Sequence, residues 1–123
     1  MDILIIEDEG LIRNLLVEVL EEEGYHVAGA ANGEVALKTL RTANSPPRLI
    51  LLDLNMPVMN GWQFRSAQQH EATLAAIPVI ILSAGRNIAQ ETKTLAAVDY
   101  LTKPLDLTVL LDRIKIYCPL SEA

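Results

Sequence analysis

Apolar residues follow two rhythms along this chain. Short unbroken runs, Ile3-Leu4-Ile5-Ile6, Leu49-Ile50-Leu51-Leu52 and Val79-Ile80-Ile81-Leu82, alternate with stretches where apolar residues recur every three or four positions. The unbroken runs read as strands buried on both faces, as in a parallel sheet. The spaced stretches read as amphipathic helices. The first strand is predicted over Asp2 to Ile6, followed by a helix with Leu11, Ile12, Leu15, Leu16, Val19 and Leu20 on one face. Glu18, Glu21, Glu22 and Glu23 fall largely off that face, and Gly24 closes the helix as a C-cap glycine.

The remainder repeats the alternation. His26 to Ala30 predicts a weaker strand at an edge, and Gly33 to Thr42 a helix facing inward through Val35, Ala36, Leu37 and Leu40. A loop through Asn44-Ser45-Pro46-Pro47 leads to the strand that ends at Asp53, and a helix from Gly61 to Gln69 follows the Asn60-Gly61 turn. Pro78 opens the fourth strand, where a missing N–H does least harm. Gly85 to Ala97 carries a thin helical pattern (Ile88, Thr92, Leu95, Ala96), Val98 to Thr102 a fifth strand, and Asp106 to Ile116 a last helix capped by Asp106. Strand then helix at short spacing predicts a doubly wound α/β sheet.

The chemistry gathers where strands stop. Asp53 ends its run before Leu-Asn-Met-Pro-Val-Met-Asn-Gly (54–61), and the first strand ends in Glu7-Asp8-Glu9. In open α/β sheets ligands bind at that carboxyl edge. Glu7, Asp8 and Asp53 on adjacent strands would repel one another without a cation, and hard oxygen donors suit Mg²⁺. Ser83 ends the fourth strand, and Lys103, followed by Pro104, ends the fifth. An acidic pair, a lone Asp, a hydroxyl and an ammonium suit phosphoryl transfer onto Asp53 as nucleophile. Mg²⁺, Ser83 and Lys103 would then hold the phosphoryl oxygens.

On these motifs the chain, from residue 1 to about 117, resembles a receiver domain of the two-component response regulators, a family that includes the single-domain chemotaxis regulator. The resemblance implies a flavodoxin-like sheet of five parallel strands in order 2-1-3-4-5 with five helices. It implies phosphorylation of Asp53 by a histidine kinase or histidine phosphotransfer protein, dependence on Mg²⁺, and a downstream protein target. It further implies that Asp8, Asp53 and the main-chain oxygen of Asn55 ligate the metal, with Glu7 acting mainly through water. Ser83 and Tyr100 match the family's hydroxyl–aromatic switch pair, and Lys103-Pro104 is a candidate cis peptide.

The chain departs from the family pattern in places. Ser83 to Lys103 spans 20 positions, slightly short for the family, and Ala97-Val98 replaces the usual Gly-Ala before the fifth strand. The shortening falls on the fourth helix, so the family's usual dimer face is not expected here. Gly85 is small, which predicts a phosphoryl group open to water and a short-lived phospho-form.

Bland readings compete at single residues. Asp53 alone could cap a turn, and Glu9 reads as an acid at a helix start. Tyr100 fits edge packing as well as a switch. His26 and His70 read as surface residues, Trp62 as partly exposed helix-start packing, and Met56 and Met59 as loop packing. Rival functions fit less well. A haloacid-type phosphatase needs a carboxylate two residues after the nucleophile, where this chain has Asn55. A flavin carrier needs a glycine- and hydroxyl-rich phosphate loop, and Glu7-Asp8-Glu9 would repel the phosphate. A receiver-like protein-binding module independent of phosphorylation is the remaining alternative.

Composition narrows the setting. The 123 residues suit one domain, expected over 1–118, with 119–123 a tail and no output domain. Sixteen acidic against ten basic residues, with the basic ones scattered, argue against nucleic acid and for protein partners. No apolar stretch is long enough to span a bilayer and the N-terminus lacks a signal-peptide pattern, so a cytoplasmic protein is expected. The single cysteine, Cys118, excludes an internal disulfide and is expected to pack against a helix.

Overall fold

Five strands form one parallel sheet, β1 (Ile3–Ile6), β2 (Val27–Ala30), β3 (Leu49–Asp53), β4 (Val79–Ser83) and β5 (Asp99–Thr102), in the order β2-β1-β3-β4-β5. The computed structural model describes residues 1–120, so the last three residues of the expected tail lie outside the described residues. The helices alternate with the strands: α1 (Gly10–Glu22), α2 (Gly33–Thr42), α3 (Gly61–Gln69), α4 (Ile88–Thr94) and α5 (Leu107–Tyr117). The doubly wound architecture and its strand order are those expected.

The unbroken apolar runs are the central strands, and every residue of β1, β3 and β4 is buried. Successive side chains point to opposite faces of a strand, which divides the core in two. Ile3, Ile5, Leu49, Leu51, Ile80 and Leu82 pack with Leu16 and Leu20 of α1 and Leu110 and Ile114 of α5. Leu4, Ile6, Ile50, Leu52, Val79 and Ile81 pack on the opposite face with residues of α2, α3 and α4, including Leu37, Phe64 and Ile88. Cys118 is buried in the first cluster, where it also receives the Tyr25 hydroxyl on its carbonyl oxygen at 2.6 Å.

Two helical faces differ from expectation. Leu11 is 88% exposed, and Leu15 and Val35 also face solvent. Their helices bury narrower stripes, Leu16 and Leu20 on α1 and Ala36, Leu37 and Leu40 on α2. Periodicity marks an apolar residue without saying whether the sheet can reach it. α4 is also shorter than its thin pattern predicts: Ala96 takes φ +54° just beyond its last turn.

Caps set the other ends. Gly24, with φ +105°, follows α1 in a conformation that L side chains rarely adopt. Asp106 accepts from the N–H groups of Thr108 and Val109 at the start of α5. Asn60 and Gln63 form a reciprocal capping box at α3. Glu9 is the N-cap residue of α1, with no capping bond from its carboxylate.

Candidate functional site

Parallel pairing aligns the carboxyl ends of β1, β3, β4 and β5, so the residues that close these strands meet at one rim. Ile6 pairs with Leu52, Asp53 with Leu82, and Ser83 with Thr102. Asp53 is therefore the last paired residue of β3, opposite Leu82 of β4, rather than part of a loop, and it is only 4% exposed. Just beyond it, Gly61 donates its N–H to Leu54 O at 3.0 Å. A Cβ on Gly61 would come within 2.7 Å of Asp53 O and of Leu54 Cα, so the close return of the chain requires glycine there.

The structure brings the three expected carboxylates together. One oxygen each from Glu7, Asp8 and Asp53 lie within 4.8 Å of one another. Lys103 Nζ reaches across, 2.6 Å from Glu7 Oε1 and 3.4 Å from Asp53 Oδ2. Glu7 is fully buried, and its second oxygen accepts the Glu9 N–H at 3.3 Å. Asp53 Oδ1 accepts the Asn55 N–H at 3.2 Å. The Lys103–Pro104 peptide, at the end of β5, is cis.

Charge in this pocket is unbalanced. Burial, the hydrogen bond to Glu7 and the Glu7 charge push the Asp53 carboxyl up to about 7, against the pull of Lys103 and the Asn55 N–H. Burial disfavours the Lys103 ammonium, but its hydrogen bond to Glu7 and the charges of Asp53 and Glu7 outweigh this and raise its pKa. Three carboxylates against one ammonium leave an excess of negative charge that a divalent cation would neutralise. The donors are oxygens only, and neither His26 nor His70 joins them. The set fits Mg²⁺, with its preference for carboxylate and water oxygens.

Ser83 is buried at the end of β4, and its Oγ accepts the Gly85 N–H at 3.0 Å, which leaves its own proton for an incoming oxygen. The space beside Gly85 is narrower than its missing side chain suggests. A Cβ there would lie 3.2 Å from both Ser83 Oγ and Glu91 Oε1, so a carboxylate of α4 borders the gap. Tyr100, on edge strand β5, faces outward at 37% exposure, beside Thr102, Pro104 and Val109. Asn55 is exposed at the rim.

One rim residue escapes a reading of the sequence. Arg13 of α1 donates from its guanidinium to Glu7 O at 2.9 Å, with its stem laid across β2 where Gly29 has no side chain. A Cβ on Gly29 would lie 3.0 Å from Arg13 Cδ. Glycine inside a strand signals close approach by another group, and that was the available clue.

A doubly wound parallel sheet with an oxygen-only acidic pocket, a buried hydroxyl and a lysine at its carboxyl edge defines the chain as one of the open α/β proteins that bind ligands at that edge. Within that class, the chain belongs to the response regulator receiver domain family of two-component signalling, which it matches over residues 3–115. It is 38% identical over 121 residues to sporulation initiation phosphotransferase F of Bacillus subtilis, covering 97% of this chain and 94% of that one. It is also 38% identical to response regulator RR06 of Streptococcus pneumoniae, covering 94% of this chain, and it spans about half, 52%, of that protein.

Solved structures agree. Chemotaxis response regulator CheY4 of Vibrio cholerae superposes with a TM-score of 0.85 at 30% identity, covering 94% of this chain and 97% of that one. Response regulator TrrA of Thermotoga maritima, solved in complex with Mg²⁺-BeF, gives 0.81 at 32% identity, covering 95% and 99%. Among the described residues, no helix is long and apolar enough to cross a membrane.

Proposed function

We propose that this receiver is a phosphorylation switch in which Asp53 takes a phosphoryl group from a phosphohistidine on a histidine kinase or histidine phosphotransfer protein. An Asp53 oxygen forms the new P–O bond as the donor's P–N bond breaks, and the electron pair of that bond stays on the imidazole. Asp8, Asp53 and the Asn55 main-chain oxygen would hold Mg²⁺, with Glu7 acting mainly through water. Bound there, the ion would supply positive charge to the phosphoryl oxygens. Lys103, already 3.4 Å from Asp53 Oδ2, pairs with a second oxygen, and Ser83 donates its proton to a third. Return to the resting state is hydrolysis: water oxygen bonds to phosphorus, the P–O bond to Asp53 breaks, and inorganic phosphate leaves. The protein thus catalyses only its own phosphorylation and dephosphorylation.

The observation that carries this reading is the buried Asp53, held among Glu7, Asp8 and Lys103 with its carboxyl raised to about 7. A carboxylate so poorly stabilised awaits a cation and an electrophile. An apolar groove beside Lys103, lined by Ile12, Leu15, Leu16, Pro104, Leu105 and Leu107, supports docking of the donor next to the site. Movement of Ser83 toward the phosphoryl group and of Tyr100 inward then changes affinity for a downstream protein. Donor, receiver and target act in the cytoplasm.

Intact mass after incubation with a small phosphodonor, with and without Mg²⁺, tests the reading on wild type and Asp53→Asn. A Mg²⁺-dependent phosphoryl adduct lost in the variant is the expected result. No adduct on a folded wild-type protein would turn the reading to a binding module independent of phosphorylation.

A further inference from the structure

We propose that Arg65 makes the C-terminal end of α4 a fixed hinge, about which the end nearest Ser83 moves. Arg65 and Gln68 occupy inward positions of α3, where the core would otherwise take apolar side chains, and they are buried at 5% and 0% exposure. None of the described ion pairs involves Arg65. Its partners are dipoles instead: Nε donates to Leu95 O at 2.9 Å, one terminal nitrogen to Ala96 O at 3.0 Å, and the other to Gln68 Oε1 at 2.7 Å. Gln68 passes the network on, donating to Leu74 O at 2.9 Å and Ile77 O at 3.1 Å.

The last carbonyls of a helix lack partners within it and carry the negative end of its dipole. A buried guanidinium satisfies both needs where α4 stops. Its own position is costly without them, since burial lowers its pKa and a displaced carbonyl would leave a desolvated cation unpaired. Sliding the end of α4 therefore breaks two bonds in a dry site and disturbs the Gln68 links to the chain before β4. Ala96, left-handed at φ +54°, fixes the exit of the chain into β5 at the same point.

The other end of α4 has no such polar anchor: its first residue, Ile88, is held by apolar packing. Its N-cap, Asn87, makes no side-chain capping bond, and residues 84–87 run from Ser83 to the helix through an exposed or half-buried loop. The helix is only 7 residues long, so the end held by the guanidinium and the end without a side-chain cap are two turns apart. Movement that starts at Ser83 then tilts the first turn and leaves Leu95 to Ala97 in place. What drives the tilt rests on the phosphorylation proposed above; the asymmetry of the helix does not.

Residue-resolved amide exchange on the unmodified protein tests the hinge. The amides of Leu95, Ala96 and Ala97, bonded to Glu91 O, Lys93 O and Thr92 O, should exchange about tenfold or more slowly than that of Glu91, bonded to Asn87 O. The double variant Arg65→Met/Gln68→Leu replaces the network with apolar volume and is expected to keep the fold, yet to bring the 95–97 amides to the rate of the first turn. Arg65→Lys keeps the charge without the fork and should give an intermediate rate. Equal rates at both ends of α4 in the wild type, or no change at 95–97 in folded variants, would overturn the hinge. With phosphodonor and Mg²⁺, changes should be confined to 84–91 in the wild type and spread to 95–97 in the double variant; equal wild-type changes at both ends would also overturn it. A missing phosphoryl adduct counts against the phosphoacceptor reading alone, because the exchange rates of the unmodified proteins still decide the hinge.

Discussion

Removing the charge of Asp53 should stabilise the metal-free protein at neutral and alkaline pH. The folded state raises this carboxyl from 3.8 to about 7, through burial first and then the neighbouring Glu7. Folded protein therefore holds this proton more tightly than unfolded protein, and stability falls as pH rises from about 4 through about 7. At about 1.4 kcal/mol per tenfold, the full opposition to ionisation is about 4 kcal/mol, reached above the raised pKa. Screening and readjustment of Glu7 and Lys103 bring the expected gain for Asp53→Asn to about 2 kcal/mol at pH 8. For a domain of this size that is a rise in Tm of about 8 °C. The assay is thermal or urea unfolding in a chelator at pH 8 and pH 4.5, with Mg²⁺ added in a parallel series. The gain should shrink toward zero at pH 4.5, and Mg²⁺ should raise the wild-type Tm at pH 8 far more than that of the variant. A variant less stable at pH 8, or equally stabilised at both pH values, would refute the electrostatic reasoning.

Lys103→Met should cost about 3 kcal/mol in urea unfolding at pH 7.5, because it leaves the fully buried Glu7 without the ammonium 2.6 Å away. Val58, a β-branched residue at φ +70°, is strained, and Val58→Gly should raise stability by about 1 kcal/mol by the same assay. Tyr25→Phe should lower it by about 1 kcal/mol, since the Cys118 carbonyl loses a buried 2.6 Å hydrogen bond. Gly85→Glu should lengthen the half-life of the Asp53 phospho-form, followed by mass after removal of the donor, by filling the gap beside Ser83; an unchanged half-life would exclude water entry there.

The sheet was legible because its central strands are buried on both faces and so carry no polar residue until they end. Where Ile6 gives way to Glu7 and Leu52 to Asp53, the change of character marks both the strand end and the site. Leu11, Leu15 and Val35 show the limit of that logic: an apolar residue facing solvent has the same signature as one facing the sheet. Arg65 and Gln68 show the converse. They are polar residues whose partners are main-chain carbonyls up to 31 positions away, and no local pattern announces such a pairing. Arg13 bends back to the main chain of Glu7 by a route that only the bare Gly29 hints at.

The pocket draws Glu7, Asp53, Ser83 and Lys103 from the ends of four neighbouring strands, and Glu7 and Lys103 stand 96 positions apart in the chain. Contacts of such long range carry a high loop-closure cost. No fragment lacking β5 holds the lysine against its carboxylates, so the pocket is complete only once the last strand has docked. On the function proposed above, the rate of phosphoryl transfer to Asp53 would report that docking.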